Sequence, residues 1–146
     1  MNYLFCFAMF AVIFVGNAYA EGELPAALLS GFESKHGDHR TDLNPHNPGI
    51  GYRFQDGWTL GTYYNSIRRH SFYAGREWQY KLFGGDTASV NLGGVAGVVT
   101  GYLHGPHLLL IPEAIFQYQH VEASLILIPR VTKDPITMAI QLRWRI

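Results

Sequence analysis

The chain has 146 residues, and its eleven Lys and Arg are balanced by eleven Asp and Glu. That balance leaves no basic footprint for nucleic acid, which is not expected as a partner. The single cysteine, Cys6, lies in an N-terminal apolar run. Once that run is removed, disulfides, cysteine nucleophiles and thiolate metal sites are excluded.

The run spans residues 3–15, with Gly16, Asn17 and the small-x-small site Ala18-Tyr19-Ala20 behind it. This is the pattern of a secretory leader, with cleavage expected after Ala20, although its first residues lack Lys and Arg. An N-terminal anchor is the alternative, but a spanning helix needs about 20 apolar residues and this run is shorter. About 126 residues follow, enough for one domain.

After an apolar stretch at 24–29, residues 30–36 continue as a first strand. The segment 37–48, GDHRTDLNPHNP, is a loop on turn chemistry. A second strand at 49–55 sets Ile50, Tyr52 and Phe54 against Gly51 and Arg53. Asp56-Gly57 then predicts a tight hairpin. In the third strand Trp58, Leu60, Thr62 and Tyr64 share one face, while Thr59, Gly61, Tyr63 and Asn65 share the other. A basic loop at 67–70 carries Arg68, Arg69 and His70, and the fourth strand descends to about residue 83. Gly84-Gly85-Asp86 turns the chain into a Gly-rich fifth strand at 89–102, suited to a small curved barrel. Strands six (107–119), seven (121–129) and eight (136–146) complete the set. The last alternates Ile140, Leu142, Trp144 and Ile146 with Gln141, Arg143 and Arg145.

Eight alternating strands and no later apolar helix predict an all-β, eight-stranded antiparallel transmembrane β-barrel of a Gram-negative outer membrane, acting as a monomer. A soluble barrel would carry its large apolar residues inside. Short turns alternating with long loops, and the amphipathic last strand, favour the membrane. Strand parity collects Arg53, Glu77, Glu113, Gln117, Glu122, Arg143 and Arg145 in the interior. Unpaired, each buried charge would cost several kcal/mol, so ion pairs are expected among them. Arg76 falls on the outward parity, at a cost of about 2–4 kcal/mol at a bilayer midplane. It therefore needs a rim position or a bulge. Pro112 and Pro129 each remove a ladder hydrogen bond.

Arg68 and Arg69 suit the phosphates of lipid headgroups. His36, Asp38, His39, Asp42 and His46 could hold a divalent cation, but loops of that composition are common, and neither a metal nor another cofactor is expected. His70-Ser71 hints at a deacylase site. Adjacent strand residues point oppositely, which favours a solvated loop instead.

The segments LNPHNPGIGYRF, WTLGTYYNS, SFYAGREW, LLLIPEA, LILIPRV and AIQLRWRI resemble the PagP family of outer-membrane lipid A palmitoyltransferases, from about Asn44 to the C-terminus. The resemblance implies transfer of an acyl chain from a phospholipid to lipid A. It puts the catalytic histidine at His36, with His39 second, and the family's Asp-Ser pair at Asn65-Ser66, the acid replaced by an amide. It makes Pro112 and Pro129 lateral gates for lipid. Glu77 falls at the floor that measures the acyl chain, so a charged floor leaves room for a shorter chain or none. The family's N-terminal amphipathic helix is missing or reduced to a stub before Ala26. The alternatives are a non-catalytic barrel binding lipid or a surface partner, and a lipid A deacylase.

Overall fold

A computed structural model describes residues 23–37, 42–102, 105–128 and 136–146. The leader with its Ala20 site, Asp38, His39 and Pro129 lie outside the described residues. Eight strands follow in order: β1 (Ala27–His36), β2 (His46–Arg53), β3 (Trp58–Tyr64), β4 (His70–Gly84), β5 (Ala88–Val99), β6 (His107–Tyr118), β7 (Val121–Ile128) and β8 (Thr137–Arg145). Each pairs antiparallel with its neighbour, and β1 pairs with β8 to close the barrel. No helix occurs among the described residues, and residues 23–26 run in irregular backbone up to β1.

Several boundaries differ from the sequence reading, each for a local reason. β2 begins at His46, inside the expected loop, although Pro48 follows two residues later. The β1–β2 register moves from Ser30↔Ile50 to Phe32↔Asn47, so Gly31 opposes both Pro48 and Gly49. A bulge of this kind is where a strand tolerates proline. At its other end β2 stops at Arg53, because Phe54 joins the turn. Its N–H donates to Trp58 O at 2.7 Å and its carbonyl accepts from Gly57 N at 3.0 Å. Gly57 has φ +86°, a conformation that residues with a Cβ rarely adopt. β5 ends at Val99, three residues early.

Long connections gather at one rim, and the tight turns at 54–57, 85–87 and 119–120 gather at the other. The outer face of the wall carries large apolar side chains and the inner face carries charges. Leu28, Ile50, Leu60, Trp78, Leu125 and Leu142 are exposed on the outside, whereas Arg53, Glu77, Glu113, Glu122 and Arg143 are buried within. Arg76 points outward opposite Trp58, the first residue of β3 and the neighbour of a tight turn.

Inward glycines make room for one large ring. A Cβ on Gly61 would stand 2.6 Å from the Tyr73 hydroxyl, and one on Gly51 would meet the same oxygen. Tyr73 therefore lies across β3 and β2 rather than upright in the lumen. A shift in the β1–β8 register between Leu29 and Phe32 turns both of those side chains inward. The Phe32 ring then packs against Tyr63, with centroids 4.9 Å apart.

Candidate functional site

The charges expected inside are in contact with one another. Arg53 donates from Nη1 to Glu77 Oε1 at 2.7 Å and from Nη2 to Glu122 Oε1 at 2.9 Å, while its Nε reaches Pro25 O at 3.1 Å. Arg143 donates to Glu113 Oε2 at 2.6 Å and to Glu77 Oε1 at 2.9 Å, with Glu122 at 4.0 Å. Its Nε donates to Gln141 Oε1 at 3.0 Å. Ser124 donates to Glu113, and Gln79 donates to Glu77 at 2.6 Å. Arg145 stands at the edge of the group, with Nε 3.8 Å from Glu122 and Nη1 3.3 Å from Gln119 O. It lines an open pocket of about 550 Å³ at the tight-turn rim, shared with Asp86, Thr87, Gln119 and His120. Gln117 is also inward-facing, and receives the Ser89 hydroxyl proton at 3.2 Å. Three arginines oppose three glutamates, so the interior is neutral as a group. The uncharged members, Gln79, Ser124 and Gln141, were not singled out from sequence, although they share the inward parity of the charges they serve.

At the long-loop rim no hydrogen bond joins His36 to Asn65 or Ser66 among the described residues. Asn65 is fully buried and its amide is saturated. Oδ1 accepts from Ile67 N at 3.1 Å and Arg69 N at 2.9 Å, while Nδ2 donates to Ser71 Oγ at 2.9 Å and Gly101 O at 3.0 Å. Asn65 thus holds the β3–β4 turn closed and ties it to the connection after β5. His36 faces inward, opposite Thr137 of β8, with Nδ1 and the threonine hydroxyl 2.8 Å apart. Ser66 is half-buried in the β3–β4 turn, and its carbonyl accepts from Asn44 N at 2.8 Å. The His70 ring leans on Tyr64, whereas Ser71 is buried on the inner face, so that adjacent pair does diverge.

Arg68 takes a left-handed φ of +58°, unusual for a residue with a Cβ. Its N–H donates to Asn65 O at 2.9 Å, and its guanidinium donates to Asp42 O at 2.9 Å across the rim. The Arg69 side chain is exposed beside it. No group of three or more His, Cys, Asp and Glu able to hold a metal occurs among the described residues.

One pair was missed in the sequence. Glu33 and His46 are directly opposite in the β1–β2 ladder, and Glu33 Oε2 stands 2.6 Å from His46 Nδ1. The pair is on the outer face, since its ladder neighbours Phe32 and Asn47 point in. The bulge hid it, because a strand beginning at residue 49 leaves His46 in a loop.

Among the described residues two strand edges run on without a ladder: a short one on β2, whose pairing with β3 stops at Gly49↔Tyr63, and a longer one on β6. Among these residues β6 and β7 pair from Tyr118↔Val121 up to Glu113↔Ile126, and the chain after Ile128 lies outside the described residues. β6 nevertheless runs on to His107, and on its other edge stays paired with β5 as far as Val99↔His107. Pro112, at the break, has no N–H to give to β7. The inward residues above it, Ile111 and Leu109, and Val95 across on β5, remain half-exposed.

A closed eight-stranded antiparallel barrel with an apolar exterior, a charged core and a proline-broken seam is the class these features define. Comparison with protein-family models and with curated proteins gives no match.

Proposed function

We propose that the barrel stands in a Gram-negative outer membrane and transfers an acyl chain from a phospholipid to lipid A. The observation that carries this reading is the seam above Pro112, which leads from the apolar exterior to a half-exposed apolar inner wall. A lipid tail fits such a slot, because it leaves one apolar environment for another. The outward Leu, Ile, Phe and Trp residues supply the lipid-facing band, and Arg76 pairs with Trp58 next to a tight turn, with Trp78, Tyr80 and Leu82 exposed further along its own strand. Long loops face outside the cell on this reading and tight turns face the periplasm. Arg68 and Arg69 then sit at the level of headgroup phosphates.

The ion cluster sets the depth of the slot. From Glu113 to His107 the strand rises roughly 20 Å, or about 15 Å along the axis of a tilted barrel. Phe32, Tyr63 and Tyr73 occupy part of that depth, so a short acyl chain fits and a long one meets charge.

A second reading is favoured by the saturated Asn65 amide and the inward His36: a barrel that holds lipid without catalysis. Mass spectra of lipid A from cells with and without the expressed chain separate the readings. A gain of one acyl mass supports transfer, a loss means deacylation, and an unchanged spectrum with a folded barrel refutes transfer.

A further inference from the structure

The Glu33–His46 pair has the form of an acid–base device. Each side chain is well exposed, at 67% and 74% of its full area, so no packing demand explains their contact at 2.6 Å. With Nδ1 carrying the proton toward the carboxylate, Nε2 is left with its lone pair, and no partner meets it among the described residues. The strand position is equally specific. Below the pair, the outward residues Leu28 and Ile50 are apolar. Beside it, the β3–β4 turn brings Tyr64, Ser66 and the Arg68 and Arg69 side chains to the same rim.

Asn44 fastens the pair to that turn. Its side-chain amide donates to His46 O, its Oδ1 accepts from His46 N at 3.2 Å, and its own N–H donates to Ser66 O at 2.8 Å. His46 is therefore linked to Ser66 through one residue. His36 likewise has Nδ1 on Thr137 and Nε2 without a hydrogen-bond partner among the described residues, but that nitrogen is buried, on the inner face and on the β8 side.

We infer that His46 is the general base and acid of the barrel and that Glu33 is its positioning residue, a role that rests on the proposed acyl transfer. His46 Nε2 removes the proton from an acceptor hydroxyl on lipid A as its oxygen attacks the ester carbonyl carbon of a phospholipid. The tetrahedral oxyanion forms beside the Arg69 guanidinium. Collapse breaks the original acyl C–O bond, and the departing lysophospholipid oxygen takes the proton back from Nε2. One ester forms and one breaks, with no net proton, oxidant or reductant consumed. Glu33 holds the ring in the tautomer that presents the Nε2 lone pair and steadies the imidazolium formed midway.

The test uses the full barrel in detergent with a phospholipid donor and purified lipid A, reading acyl gain by mass. His46→Gln keeps a donor toward Glu33 but has no base, and should lower the rate by about 100-fold or more. His46→Ala should do the same while the heat-modifiable gel shift of the folded barrel persists. Glu33→Gln should lower kcat with KM little changed, and the ¹⁵N shifts of His46 should show a changed tautomer balance. Transfer that survives both His46 variants, or that is abolished by His36→Ala alone, overturns this assignment and leaves the transferase reading standing. A folded wild-type barrel that transfers nothing overturns both.

Discussion

Replacing Arg143 by Met tests whether the core charges hold the barrel together as a group. The guanidinium is 2% exposed and serves Glu113 at 2.6 Å and Glu77 at 2.9 Å, with a third bond to Gln141 at 3.0 Å. Met has similar length, so the change removes charge rather than volume. Three carboxylates would then face Arg53 and Arg145 alone. Removing one partner of a buried ion pair costs about 3–5 kcal/mol, because the remaining charge is stranded. Arg53 still neutralises Glu77 at 2.7 Å, which leaves Glu113 the stranded group, with only the Ser124 hydroxyl as donor. Adding Glu113→Gln removes that charge and should recover most of the loss. Urea unfolding in lipid vesicles gives the comparison: a lower midpoint at unchanged slope for the single variant, and a midpoint near wild type for the double. A single variant within about 1 kcal/mol of wild type, or a double no better than the single, refutes the reasoning.

Asn65→Asp restores an acid beside Ser66 but deletes the donors to Ser71 and Gly101. It should cost about 1–3 kcal/mol, seen as a lower urea midpoint, and should not raise transfer. Gly61→Val drives a branched side chain into the Tyr73 hydroxyl and the Ile50 carbonyl. Overpacking of about 1–3 kcal/mol is expected, with a changed near-ultraviolet dichroism from the displaced ring. Leu142→Arg puts a cation on the outer face, where the side chain is 56% exposed. In lipid it should cost about 2–4 kcal/mol and reduce the heat-modifiable fraction in vesicles, whereas on a wetted surface it would change almost nothing.

Alternation made the wall legible: the eight strands and their inward charges follow from period two, since a residue and its ladder partner share a face. The rim was less legible because its geometry depends on bulges. The shift at Ser30 and Gly31 turns Phe32 inward and brings Ser34 and His36 with it, so a histidine assigned by resemblance to the headgroup site faces Thr137 instead. The same irregularity extends β2 through Pro48 and aligns His46 with Glu33. Neither shift leaves a local signature beyond one glycine and one proline. Asn65 was legible as an inward residue of its strand, but not as a saturated one, because its partners Ser71 and Gly101 come from β4 and from the connection after β5. Charge composition announced a polar core, while the pairing within it is a three-dimensional fact that parity leaves open.

The proline and the charge stand side by side in Pro112-Glu113, and their roles are complementary. On the proposed function, a barrel that admits lipid through its wall has to break a ladder without losing closure. Here the break is confined to one edge of each strand, since β6 stays paired with β5 and β7 stays paired with β8 up to Ile128↔Thr137. Unzipping downward would begin at the first intact pair, Glu113↔Ile126. That pair is fixed from inside: Glu113 of β6 receives Ser124 of β7 and Arg143 of β8, and Arg143 reaches on to Glu77 of β4. Bonds that cross the lumen resist separation of the strands more directly than wall contacts, because opening the seam would strand a buried carboxylate. The ion cluster is thus both the floor of the proposed slot and the staple that stops it from widening, which explains why charge is tolerated in the core of so small a barrel.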